Sequence, residues 1–229
     1  MNLITTKAPS RGIIDSHLLT TGKTEAFYDG KIDKEVIVLK GINYTDSPIA
    51  DEPFVAKVKI KTKLKLEKDY EREFNPDQNT INIKQTGLEK DCFASQKLNV
   101  VAEKIIFSEP QDVEITLKPK LKGKIKSDES SVVFSGKLCT TLTIGAGFCV
   151  NTNGKIENKK NKLKITDATK IELFMKVVTG YNQINGVMEL DVNKVLENTR
   201  GQIYLLESEL YDVLKMKHLM DIEKHTLGD

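Results

Sequence analysis

Apolar and polar residues alternate along most of this chain. From Phe54 to Leu66, the positions Val58, Ile60, Thr62, Leu64 and Leu66 are interleaved with Lys57, Lys59, Lys61, Lys63 and Lys65. A period of two without a slip predicts a strand with one face to a core and one to water. Shorter runs repeat the pattern. Glu35–Leu39 follows a turn at Asp29-Gly30, and Thr80–Lys84 follows a turn at Asn75-Pro76-Asp77. Asp91–Ser95 and Leu98–Phe107 precede a break at Glu109-Pro110. Asp112–Lys118, Ser131–Leu138, Cys139–Val150, Lys162–Thr166 and Lys170–Val178 complete the series. Pro and polar residues over Thr45–Pro53 predict a loop, and Asn153-Gly154 predicts a two-residue hairpin. No helical pattern separates these strands, so the expected sheets are antiparallel, each with one wet face.

The period then changes. Asp191 is a good N-cap, and Val192, Val195, Leu196, Thr199, Ile203, Leu206, Leu210, Val213, Leu214 and Ile222 recur at helical spacing. One long amphipathic helix is predicted from Asp191 to Lys224, with any bend falling near Gly201, where glycine costs about 1 kcal/mol relative to alanine. The predicted architecture is mainly β: a two-sheet antiparallel sandwich over 1–185, and a linker-like helix over 186–229 that packs on the sandwich or leaves it.

Composition narrows the function classes. A chain of 229 residues buries a core without staples. Net charge is +2 and the only arginines are Arg11, Arg72 and Arg200, so neither bulk charge nor planar guanidinium readers point to nucleic acid. No apolar run approaches a membrane span, and the N-terminus lacks the pattern of a signal peptide. Cys92, Cys139 and Cys149 are odd in number and widely spaced, which fits neither a disulfide framework nor a zinc site. The expected compartment is the cytoplasm. Asn43-Tyr44-Thr45 matches a glycosylation acceptor by chance in that setting.

Candidate chemistry is sparse. His17, His218 and His225 stand in no metal-ligand spacing, and neither a nucleophile elbow nor a P-loop is present. Gly145-Ala146-Gly147, inside a strand pattern, reads as a bulge or a close backbone crossing. The row Lys57, Lys59, Lys61, Lys63, Lys65 is a candidate polyanion face. It also reads as a solvated face guarding an edge strand. Lys118, Lys120, Lys122, Lys124 and Lys126 repeat the spacing. Without Trp, and with tyrosines scattered, an aromatic sugar platform is disfavoured.

Three stretches resemble the N-terminal β domain of glycoside hydrolase family 95, the α-L-fucosidases and related α-galactosidases. In HLLTTGKTEAFYDGKIDKEVIVLKGINYT, Gly22, Ala26 and Gly30 fall on the family's L-P-x-G-N-G-x-x-G-A-x-x-x-G pattern, and Glu35, Ile37 and Leu39 on its E-x-I-x-L. Cys92-Phe93-Ala94-Ser95 and Ser135-Gly136-Lys137-Leu138 resemble its F-A-S and S-G-x-L strands. Tyr211, Leu214, His218 and Asp221 resemble the Y-x-x-L-x-x-x-H-x-x-D of the helix leading out of the sandwich. The chain departs from the family at G-N-G, which is Thr20-Thr21-Gly22, and at the following Asn, which is Lys40. The Trp after that Asn is missing, and the family's helical insert shrinks to a short loop before Phe54.

The resemblance implies a β-supersandwich, carbohydrate-related, without the (α/α)6 barrel that carries the family's catalytic residues. No position here matches those residues, and no cofactor or metal is implied. Three readings follow. The chain is a truncated or stand-alone sandwich that docks on a separately encoded barrel, a glycan- or polyanion-binding module, or a protein that self-associates through its C-terminal helix.

Overall fold

The computed structural model describes residues 3–5, 17–20, 24–31, 34–41, 54–140, 142–182 and 187–226. The predicted mainly β architecture is present. The first strands are β1 (Leu3–Thr5), β2 (His17–Thr20), β3 (Thr24–Lys31), β4 (Lys34–Gly41) and β5 (Phe54–Lys61). They are followed by β6 (Glu71–Asn75), β7 (Thr80–Gln85), β8 (Leu88–Ser95) and the long β9 (Val100–Pro119). Then come β10 (Gly123–Ser127), β11 (Ser131–Cys139), β12 (Leu142–Thr152), β13 (Lys155–Lys159) and the second long strand, β14 (Lys162–Thr179). A small ribbon, β15 (Tyr181–Asn182) with β16 (Val187–Met188), leads to the helices α1 (Val192–Glu207) and α2 (Tyr211–Thr226).

Two long strands turn one antiparallel sheet into two layers. β9 pairs with β8 through Val100–Phe107 and with β5 through Glu114–Pro119. β14 pairs with β12 through Ile171–Thr179 and with β13 through Lys162–Thr166. The register between β9 and β14 shifts around Ala168, beside Asp167, whose φ is 57°. Extra residues at such a point bend a strand and raise its twist. One layer therefore runs β1-β6-β7-β8-β9-β14-β12-β11-β10, and β2-β3-β4-β5 continues from the far end of β9. The break predicted at Glu109-Pro110 lies inside β9, where the strand changes partners.

The predicted hairpin at Asn153-Gly154 is not one. β12 and β13 do not pair with each other; both pair with β14, so they form one interrupted strand. Asn153 stitches the interruption: its Oδ1 accepts from the N–H groups of Thr169 and Lys170 at 3.1 and 3.0 Å. The actual turn between β13 and β14 contains Lys160, with φ 57°.

Between the layers lies the main core, which includes Leu19, Ile37, Leu39, Ile60, Ile105, Phe134 and Phe148. A second cluster joins the helices to the outer side of the first layer: Phe93, Ala102, Cys149 and Phe174 from strands meet Leu196, Ile203, Leu206, Tyr211 and Leu214. Asp191 caps α1 as predicted, its Oδ1 accepting from Asn193 N–H at 2.7 Å. Gly145 in β12 admits α1 against the strand. A Cβ there would lie 2.0 Å from Thr199 Oγ1, so this glycine marks the close crossing that the sequence suggested.

The helical tail is two helices instead of one, and the break is at 208–210, not near Gly201. A continuous helix would place Leu210 one turn beyond Leu206 on the same face. Instead Leu210 is 62% exposed and Tyr211 is fully buried. Burial of the Tyr211 ring shifts the helical phase. Asn151 Nδ2, donating to the Glu209 carbonyl at 3.1 Å, holds the connection.

Candidate functional site

The helix motif from Tyr211 to Asp221 is an anchor on the β7–β8 side of the sandwich. The Tyr211 hydroxyl donates to the Asp91 carbonyl at 2.6 Å, and its ring meets Phe93 edge-on at 5.2 Å. Leu214 is buried in the same core cluster. One turn on, His218 stacks on Phe93, also at 5.2 Å, and its Nε2 lies 2.8 Å from the Gln78 carbonyl. A carbonyl only accepts, so Nε2 carries the proton in a neutral ring. Burial holds the imidazole below its ordinary pKa. Asp221 closes the row with Lys97 at 3.1 Å. On the flank, the Lys104 ammonium reaches Asp212 at 2.8 Å and lies 5.7 Å from the Tyr211 ring centre. These contacts hold the helix against the sheet.

The strand motif leads inward. Ala26 is buried in β3 opposite Leu39, and Gly30 is paired with Glu35 across the β3–β4 turn. Gly22 lies outside the described residues, as do Asn43-Tyr44-Thr45 and the whole loop over 45–53. Glu35 points between the layers, where its Oε2 accepts from the Lys90 ammonium. That ammonium also reaches Glu103 Oε1 at 3.1 Å. Burial, then the neighbouring Glu35, push the Glu103 carboxyl up to about 8. Burial alone would lower Lys90, but Glu103 and Glu35 outweigh it and hold the ammonium charged. The sequence offered no way to select this carboxylate pair from the others. The side chains of Glu35, Lys90 and Glu103 are 10%, 3% and 0% exposed, so the pair has no access to a sugar.

The lysine row is broken up by the fold. Lys57, Lys59 and Lys61 lie on β5, whereas Lys63 and Lys65 follow the strand's end, and Lys63 pairs with Asp112 at 3.2 Å. β5 lies between β4 and β9, so it is not an edge strand. Lys57 stands opposite Lys118 and Lys61 opposite Glu114, itself bound to Lys162 at 2.8 Å. The second row is also divided. Lys124 and Lys126 on β10 reach Asn193 and Glu197 of α1 at 2.6 and 3.0 Å.

The outward side of the helices is the more distinctive surface. Tyr204 and Leu205 on α1 are 69% and 68% exposed, and Met216 and Met220 on α2 are also exposed. A shallow groove of about 340 Å³ is lined by Glu197, Arg200, Gly201 and Tyr204. Its rim is neutralised internally: Arg200 forms a two-pronged bond to Asp128 at 2.7 and 3.0 Å, and Lys126 meets Glu197. A Cβ at Gly201 would touch nothing within 4 Å, so the packing of this chain does not explain that glycine.

Among the described residues no three His, Cys, Asp or Glu side chains are grouped to hold a metal. Burial holds the Cys92 and Cys149 thiols protonated, which removes them as nucleophiles. Among the described residues, no helix is long and apolar enough to cross a membrane.

No family model matches the chain, and no curated protein matches it. Among solved structures, it is similar to a putative kojibiose phosphorylase from the human microbiome. The TM-score is 0.55 at 11% identity, over 97% of this chain and 34% of that one. At that identity the likeness is one of fold. The chain spans about a third of the length of the solved structure it matches.

Proposed function

We propose that this chain is the non-catalytic supersandwich module of a fucosidase-like, family 95 type carbohydrate enzyme, and that it acts by docking on an (α/α)6 barrel that carries the chemistry. The observation that carries the reading is the ordered set of motifs ending on the helix anchor. The fold likeness to about a third of a putative kojibiose phosphorylase supports it, because nearly all of this chain takes part. A barrel acting on kojibiose is therefore a second candidate partner. The exposed Tyr204, Leu205, Met216 and Met220 supply the contact surface.

The carboxylates that the fold brings together are sealed between the layers, so the purified chain should neither hydrolyse aryl α-L-fucosides or α-galactosides nor phosphorolyse kojibiose. Turnover abolished by a point substitution within the chain would overturn the reading.

A further inference from the structure

We propose that a band of lysines across the outer face of the second layer binds a linear acidic polysaccharide, one that carries a carboxylate or a sulfate on its sugars. In that layer β5, β9, β14 and β13 lie side by side. Val58, Ile60, Ile115, Leu117, Leu163 and Ile165 turn into the core, so the residues between them face outward.

The register sorts the outward residues into rows that run across the strands. One row is Lys61, Glu114, Lys164 and Glu157, in which the charges alternate and balance. The next is Lys59, Thr116, Lys162 and Lys159, with no acid of its own. Beyond it, Lys57 stands opposite Lys118. The β13–β14 turn brings Lys160 to the same end, where Asn161 bonds the backbone of Leu117, next to Lys118. Two acids of the balanced row reach into the band: Glu114 meets Lys162 at 2.8 Å, and Glu157 meets Lys159 at 2.9 Å. The excess of lysine remains, and it is concentrated on one face of a chain whose net charge is only +2. Lys118, Lys159 and Lys160 are exposed.

Explanations that need no ligand account for this band poorly. Lysine guards edge strands against stray pairing, but β5 lies between β4 and β9, and β9 between β5 and β14. A face built only for solubility would favour opposite charges across each ladder, as the balanced row does. Lys57 against Lys118 is a like-charge pair, which costs stability. Anionic groups laid along the band offset that cost.

The shape of the band selects the ligand class. It crosses four strands, about 14 Å, and is two rows or about 7 Å wide. Such a strip on the open face of a sheet suits an extended chain lying across the strands. Lysine is a point charge without the planar fork that reads guanine. No aromatic ring stands in these rows to stack on a base. A polysaccharide with charged sugars needs neither. The helices pack on the outer side of the other layer, so this face stays open whether or not a barrel docks on them.

The test is titration of the purified chain with heparin, which carries sulfates, and with polygalacturonate, which carries carboxylates. Binding of at least one is expected at about 50 mM salt, weakened tenfold or more at about 200 mM. The polymer that binds more tightly identifies the anionic group. Binding of neither at about 50 mM salt would overturn the proposal. So would tighter binding of duplex DNA than of both polysaccharides.

Two variants with the same change of charge locate the site. Lys118→Glu should weaken binding by about fivefold or more. It also faces Lys57 with an opposite charge, so the melting temperature should hold or rise. Lys217→Glu, at an exposed position on α2, should leave binding within about twofold. Equal weakening by the two would reduce the interaction to net charge and overturn the proposal.

Discussion

The Tyr211 hydroxyl donates a 2.6 Å hydrogen bond to the backbone carbonyl of Asp91, 120 residues earlier in the chain. It ties the first residue of the last helix to β8 and sets the helical phase that breaks the tail at 208–210. The Tyr211→Phe variant keeps the ring and leaves that carbonyl without its donor. It should lose about 1–2 kcal/mol of stability. Tyr211→Ala also empties the space beside Phe93 and should lose about 3–5 kcal/mol. Denaturant melts of the two variants check the order.

Gly145 should tolerate no side chain. A Cβ would lie 2.0 Å from Thr199 Oγ1, which itself donates to the Val195 carbonyl at 2.7 Å. The Gly145→Val substitution should push α1 off β12 and cost more than the 1–3 kcal/mol usual for overpacking. Protease nicking within Val192–Glu207 should rise as the helix detaches. The neighbouring Gly201→Ala, with open space around it, should gain up to about 1 kcal/mol.

His218 gives the helix anchor a pH dependence. Its folded pKa is held down by burial. The unfolded chain therefore takes up more protons as pH falls through the ordinary histidine range, and stability is lost in that direction. Unfolding followed from about pH 7.5 down to about pH 5 should show this fall, with the far end of α2 fraying first. His218→Gln, which can still donate to the Gln78 carbonyl, should flatten the curve.

The outward helix residues separate stability from contact. Tyr204→Lys and Leu205→Lys exchange exposed side chains, so each should change the melting temperature little, within about 0.5 kcal/mol of stability. In a complex with a barrel, the same changes should weaken binding at least tenfold, because aromatic and large apolar residues dominate interface energy. Equal binding by the substituted and unsubstituted chains would exclude this surface.

Much of the sandwich was legible because period-two alternation is a local signal. Val58 and Ile60 announce a buried face without reference to any partner strand. Strand partners were not legible. Lys57 through Lys65 look alike in sequence, and only the pairing of β5 with β4 and β9 shows that the strand is interior and its last two lysines lie beyond it. Asn153-Gly154 carries a hairpin signal, but β14 is long enough to pair with the segments on both sides, and tertiary pairing wins over turn propensity. Beyond Leu206 the helix stripe holds at Leu214, which is buried, and fails at Leu210, which is 62% exposed because Tyr211 has a carbonyl to reach and takes the buried place. Glu35 was singled out by resemblance alone. Its partners Lys90 and Glu103 lie 55 and 68 positions away, so no spacing rule could have joined them. The motif from Tyr211 to Asp221 was visible as residues, while its role as an anchor needed the Gln78 and Asp91 carbonyls.

The nucleotide sequence on the 3′ side of the Asp229 codon, read in all three frames together with its neighbouring genes, tests the docking reading most directly. A coding region for an (α/α)6 barrel is expected there, continuous with this chain or beside it. A genome without any such barrel would contradict the proposed function and leave a sandwich whose exposed helix face serves another partner.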